Sequence, residues 1–218
     1  MKNIPRIFIG NEISPGIQVP VAREISHYLS RVMRTSVCLV FGNGNEYNAH
    51  LSDDGRILVV GDQTAHTDPS NNITLMFAPI KHTDDLLNMA TQMGVAAFQP
   101  VITARTNAHH INWARMQKIV IEASEQSNRN TVPTILPPIK FSDLDLSSLT
   151  FADERAAYGQ ICESGAGDAT SILVGPEGGF SDEEFAALDA AGARGISLGN
   201  TILRAEVAAV VAITKVLK

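Results

Sequence analysis

The run Gly175-Pro176-Glu177-Gly178-Gly179 combines residue types that bring a backbone close to a ligand. Glycine carries no Cβ, so N–H and C=O groups can reach the edge of a flat ring. Before it, Ile172-Leu173-Val174 is short, apolar and largely β-branched, the mark of a buried strand. After it, Ser181 offers an N-cap with Glu184 at capping-box spacing, Phe185 and Leu188 share one face, and Gly192 closes the helix. A second strand, Gly195 to Leu198, ends in Gly199-Asn200 and leads to an apolar helix from about Ala205 to Leu217. Two strand ends thus deliver two glycine-bearing bends, and open α/β sheets bind ligands at such ends. A P-loop needs Gly-Lys-Ser/Thr at the helix entrance, whereas Phe180 and Ser181 stand there. A dinucleotide turn needs G-x-G spacing, and this loop reads G-x-x-G-G with Pro176 and Glu177 inside. A loop whose glycines only make a turn is the plain alternative.

Other chemistry-bearing residues are few. Arg204 and Glu206 open the last helix as charges beside apolar neighbours. Buried charges must be paired, so they serve a site or pair with each other, with Glu177 or across a contact between copies. Arg204 is read as the site residue. His109-His110 are adjacent, and neighbours on an extended segment point opposite ways, which argues against a shared metal. Cys38 and Cys162 lack CxxC spacing and read as reduced structural thiols. No G-x-S-x-G elbow occurs, so hydrolase chemistry has no support.

The elements that must position these residues follow from composition and periodicity. With 218 residues, 44% hydrophobic and 18% charged, the chain has an ordinary globular composition. No apolar run reaches the length of a membrane span and the N-terminus lacks a long apolar core, so a cytoplasmic location is expected. A net charge of −6 argues against a nucleic-acid partner, yet its distribution is uneven. Residues 1–34 hold Lys2, Arg6, Arg23, Arg31 and Arg34 against Glu12 and Glu24. This surplus makes Arg6, Arg31 and Arg34 candidates for RNA contact, with a solvated face as the alternative.

Residues 1–66 read as a small β-rich module, with a helix over Val21 to Met33 that places Ile25, Leu29 and Val32 on one face. Polar residues 64–72 read as a linker. From Ile73 strands and helices alternate, which predicts a mostly parallel sheet covered on both faces over residues 73–218. Strands are expected at Ile73 to Ala78 and Val95 to Gln99, and a helix N-capped by Thr83. A long helix from Asn112 turns Trp113, Met116, Val120 and Ala123 inward, and a further helix is expected at about Ala152 to Glu163.

The two C-terminal motifs, GPEGGFSDEE and then SLGNTILRAE, closely resemble the signature of the ribosomal RNA small subunit methyltransferase E family, of the SPOUT class. Glu122-Ala-Ser-Glu-Gln-Ser-Asn-Arg129 with Val132-Pro133, and Thr103-Ala-Arg-Thr106, are similar to its EAxEQSxR…VP and TERS blocks. Pro5-Arg-Ile-Phe8 and Leu29 to Arg34 are similar to its N-terminal elements. The resemblance implies a knotted α/β sheet with helices on both faces and an N-terminal PUA-like barrel, shortened here around residues 35–60. It implies a homodimer that methylates N3 of a uridine in small-subunit (16S) ribosomal RNA with S-adenosyl-L-methionine. By the same resemblance the cofactor lies against Gly175, Pro176, Glu177, Gly178, Gly179, Gly199 and Asn200, with Leu173, Leu198, Ile202 and Leu203 as apolar walls. Arg105, Gln126 and Arg129 are matched to groups that hold a uracil or a phosphate, and Glu177 is a candidate proton acceptor beside Arg204. The chain departs from the family pattern at Asn200-Thr201, where Pro-Arg is usual, and at Val207, where Thr is usual. Two further readings stay open: an RNA-binding module that keeps the fold without turnover, and a nucleotide-binding regulator.

Overall fold

The computed structural model describes residues 4–69, 72–107, 112–160 and 167–217. His109, His110 and Cys162 lie outside them. Two compact units divide the chain: Met1–Ser70 with Ile121–Val132, and Asn71–Val120 with Pro133–Lys218. The segment 121–132, expected in the C-terminal domain, thus groups with the first unit.

In the first unit β1 (Arg6–Phe8), β2 (Gln18–Pro20), β3 (Val37–Gly42), β4 (Asn45–Leu51) and β5 (Ile57–Gln63) form one mixed sheet in the order β1-β3-β4-β5-β2. Alternation along β3 and β4 sends Cys38, Val40, Tyr47, Ala49 and Leu51 into a core with Ile7, Leu58 and Val60. The sheet keeps two edges, β1 and β2, and is a curled half-barrel. The expected helix is only partly α-helical: α1 (Arg23–His27) passes into a π-helical stretch, Tyr28–Met33. Leu29 is fully buried while Val32 is 60% exposed, because the wider turn rotates Val32 off the face that the 3.6-residue period assigns it. Residues 64–69 are not a slack linker. Thr64 donates to Glu46 at 2.7 Å, and the Asp68 carboxylate accepts the backbone N–H groups of Asn130 and Thr131 at 2.7 and 2.9 Å.

The second unit is a seven-stranded, wholly parallel sheet. Its strands are β6 (Thr74–Phe77), β7 (Ala97–Ile102), β8 (Thr134–Ile135), β9 (Ile139–Lys140), β10 (Thr150–Ala152), β11 (Ser171–Val174) and β12 (Arg194–Ile196). The order is β12-β10-β11-β6-β7-β8, with β9 also on β7. The helices are α2 (Thr83–Gln92), α3 (Trp113–Gln126, whose residues from Ile121 on group with the first unit), α4 (Asp182–Ala191) and α5 (Ala205–Val216). Met116, Val120 and Ala123 of α3 are buried as the periodicity requires, whereas Trp113 is 41% exposed in the first turn. The helix expected at Ala152 to Glu163 is instead the end of β10 and a 3-10 turn, Glu154–Tyr158, over the described part. No helix among the described residues is long and apolar enough to cross a membrane.

Candidate functional site

Because β10, β11 and β12 are parallel neighbours, the segments that follow them leave the sheet at one edge. There they enclose a pocket of about 170 Å³. Of the residues matched to the cofactor, Gly175 to Gly179, Leu198, Gly199, Ile202 and Leu203 line it. Leu173 does not. It points to the opposite sheet face, packed with Phe151, Phe180 and Leu188, and Val174 takes the wall position, as strand alternation dictates. Asn200 is exposed and off the pocket wall, which Thr201 occupies instead.

The glycine loop is held from several sides. The Ser181 hydroxyl accepts from Glu184 N–H at 3.2 Å, and the Glu184 carboxylate accepts from Ser181 N–H at 2.8 Å, so the capping box is complete. The other oxygen of this buried carboxylate accepts from Ala104 N–H at 2.7 Å, which ties the turn after β7 to the start of α4. Phe180 is 1% exposed and packs edge-on against Phe151 and Phe185 at centroid distances of 6.1 and 5.6 Å. Glu177 Oε1 accepts from Lys81 N–H at 3.1 Å, which joins the loop to the turn between β6 and α2.

Arg105 takes a different place from the expected contact with a base or phosphate. Its guanidinium donates to the carbonyls of Gly178 and Phe180 at 2.9 and 3.0 Å and so braces the back of the glycine loop. Arg204 is exposed, forms the N-cap of α5 and is absent from the pocket wall.

Sequence reasoning missed the segment after β10, which adds Asp153, Glu154, Ala157 and Tyr158 to the pocket. Asp153 is 4% exposed and accepts from Arg155 Nη2 at 2.7 Å; Arg155 also reaches Asp189 and lies over the Phe185 ring at 4.3 Å. Glu154 is half-buried, and burial first, then the Asp153 charge, raises its carboxyl above the ordinary value, against the pull of Arg105 and the Phe180 N–H. The signal that could have found it is Thr150-Phe-Ala152 ahead of two acids, a short strand end of the kind that places polar residues at a sheet edge. Among the described residues the pocket lining therefore carries three carboxylates, Asp153, Glu154 and Glu177, and neither lysine nor arginine.

The residues matched to RNA fall in the first unit and divide into two kinds. Arg6 is a structural cation: its side chain is 7% exposed and pairs with Glu46 at 2.8 Å. It also donates to Ser124 O, Arg129 O and Asn130 Oδ1 and lies 4.5 Å from the Phe41 centroid. Buried in this way it has no face left for a phosphate. Arg129 is half-buried, donates to Thr131 Oγ1 at 3.2 Å, and is held below its usual value by desolvation, against Asp68. Gln126 is exposed, and Arg31 and Arg34 line a polar groove of about 560 Å³ with Ser26, Ser30, Asp53 and Asp54. Among the described residues no group of histidine, cysteine and acid is placed to hold a metal.

Comparison with known proteins agrees with this geometry. A family model described as an RNA methyltransferase domain matches residues 67–217. The chain is 33% identical to a ribosomal RNA small subunit methyltransferase E of Rickettsia conorii over 97% of its own length and 94% of the relative's. It is 29% identical to that of Synechocystis, over 87% of this chain and 69% of the relative. A crystal structure of the Neisseria gonorrhoeae ribosomal RNA small subunit methyltransferase E, bound to S-adenosyl methionine, superposes with a TM-score of 0.81 at 31% identity, covering 97% and 96% of the two chains. The fold is thus the knotted α/β sheet with a small N-terminal β module.

Proposed function

The chain belongs to the ribosomal RNA small subunit methyltransferase E family, and from that premise we propose that it methylates small-subunit ribosomal RNA, at N3 of a uridine, with S-adenosylmethionine. The observation that carries this reading is the pocket at the ends of β10, β11 and β12. Its glycine loop gives close backbone approach to an adenine edge, and its charged lining groups among the described residues are all acids. Acids without a lysine or arginine suit a cationic ligand and oppose a polyphosphate nucleotide, which sets the nucleotide-regulator reading aside.

When bound, S-adenosylmethionine supplies a methyl carbon on a sulfonium; its transfer to N3 breaks C–S, forms N–C, releases the N3 proton and leaves a neutral thioether. The contribution of the chain is position. Gly175 to Gly179 would grip together with Leu198, Gly199 and Thr201 to Leu203, and Arg105 and Glu184 fix the loop from behind. Glu177, exposed and on the pocket lining, is the group that would pass the proton to water. Arg31, Arg34 and Gln126 are the exposed groups of the first unit that would meet RNA, in a cytoplasmic homodimer. Isolated small subunits from a strain lacking this gene, incubated with the protein and S-adenosylmethionine, are expected to gain one methyl on a uridine by mass mapping. Cofactor binding with an unchanged map would instead support the module without turnover.

A further inference from the structure

The three carboxylates of the pocket are not equivalent. Asp153 is neutralised by Arg155, whose Nε and Nη2 both donate to it, and it is almost fully buried. Glu177 is exposed, and one of its oxygens holds Lys81 N–H. Glu154 remains. It is half-buried, and a Cβ built on Gly179 would run into its carboxylate, so that carboxylate lies against the glycine loop itself. Its carboxylate accepts the Phe180 N–H, and the nearby cations act on it only through space, Arg105 being hydrogen-bonded to the carbonyls of Gly178 and Phe180 and Arg155 to Asp153 and Asp189. A carboxylate held at the wall of a partly desolvated pocket, beside the backbone that grips the ligand, has strong reason to meet a positive charge.

We propose that Glu154 is the counter-charge to the sulfonium of S-adenosylmethionine, and that it sets the preference of this pocket for the methyl donor over the demethylated product. The inference rests on the methyl-transfer reading and adds to it a residue and a selectivity. Donor and product share adenosine, ammonium and carboxylate groups, and differ in the methyl and the sulfur charge that leaves with it. A carboxylate facing the sulfur would therefore attract one and not the other. Since the charge disperses during transfer, Glu154 favours the bound donor over the transition state, and its contribution belongs to binding and product exchange.

The test is calorimetric titration of the full chain with S-adenosylmethionine and with S-adenosylhomocysteine. For Glu154→Gln the donor-to-product affinity ratio is expected to fall about tenfold, the scale of a partly screened charge contact, with product affinity unchanged. Glu154→Asp keeps the charge and is expected to keep most of the preference; it carries the test should the glutamine variant fail to fold. Equal weakening of both ligands by Glu154→Gln, or an unaltered ratio, would overturn the assignment of Glu154 alone. Loss of the preference in Glu154→Asp with product binding intact would do the same. A wild-type protein that bound neither ligand would remove the methyl-transfer reading and the inference with it.

Discussion

At the residue scale Arg105 shows how a motif match and a contact differ. The guanidinium is spent on two loop carbonyls, so its removal should loosen the grip on the cofactor before it touches chemistry. Arg105→Ala is expected to weaken S-adenosylmethionine binding about tenfold, the cost of two charge-assisted hydrogen bonds at an exposed site, with kcat at saturating cofactor largely kept. Collapse of kcat at unchanged cofactor affinity would place Arg105 on the base instead. A second residue makes a pH prediction. Glu125 accepts the Phe8 N–H at 3.0 Å, yet burial, assisted by Glu122, raises its carboxyl above the ordinary 4.5. The folded state therefore binds its proton more tightly than the unfolded chain. Stability from this group falls as pH rises from about 4.5 through the folded value, and above that value the native state carries the penalty in full. Glu125→Gln, whose amide oxygen can still accept from Phe8, is expected to be as stable as the native protein or up to about 1 kcal/mol more stable at pH 7. Urea titrations should show that advantage vanish toward pH 4.5.

At the element scale, strand-loop-helix units are legible where the determinants are local. Ser181 and Glu184 announce a capping box three residues apart, and the box is there. Gly179 and Gly192 bracket this unit, both at positive φ, 69° and 72°. Open space surrounds a Cβ at Gly192, whereas one at Gly179 meets Glu154. Gly192→Ala should thus cost only backbone strain, about 1 kcal/mol, and leave cofactor binding alone. Gly179→Ala adds a conflict with the Glu154 carboxylate, the end of a flexible side chain that can swing aside, so its stability cost should also stay at about 1 kcal/mol while cofactor binding weakens with the displaced carboxylate. Equal cofactor affinity in the two variants would show that the Glu154 contact does not shape the pocket. The neighbouring strand end was not legible for a physical reason. Thr150–Ala152 is three residues long and runs into Asp-Glu-Arg-Ala-Ala, a sequence with helix propensity, so the helix pattern hides it. Its register is set by β11 and β12 on either side, a pairing that no local period encodes. With that strand hidden, the acids that follow it stayed hidden too.

At the scale of the molecule, the first unit is assembled from pieces distant in sequence, which is why Arg6 reads as a surface cation in the sequence and is a buried one in the structure. Its partners are Glu46 and a cluster at residues 124–130, 118 to 124 positions away. The expected boundary at residues 67–72 would divide this network, since Ile121–Val132 belongs to the first unit. A fragment of residues 1–70 would keep the Arg6–Glu46 pair but lose Ser124 O, Arg129 O and Asn130 Oδ1 from Arg6 and the three donors of Asn130 and Thr131 from Asp68. A buried ion pair whose remaining hydrogen bonds go unmade costs several kcal/mol, about all the stability a domain of this size has to lose. The fragment is therefore expected to show no cooperative urea transition by circular dichroism. Residues 1–70 joined by a flexible linker to residues 121–132 should recover one, because the linker restores the acceptors at a modest loop-closure cost. A cooperative transition in residues 1–70 alone, at the midpoint of the linked form, would mean that the 121–132 segment contributes contact without stability, and that Arg6 is satisfied by Glu46 and Phe41 within the sheet.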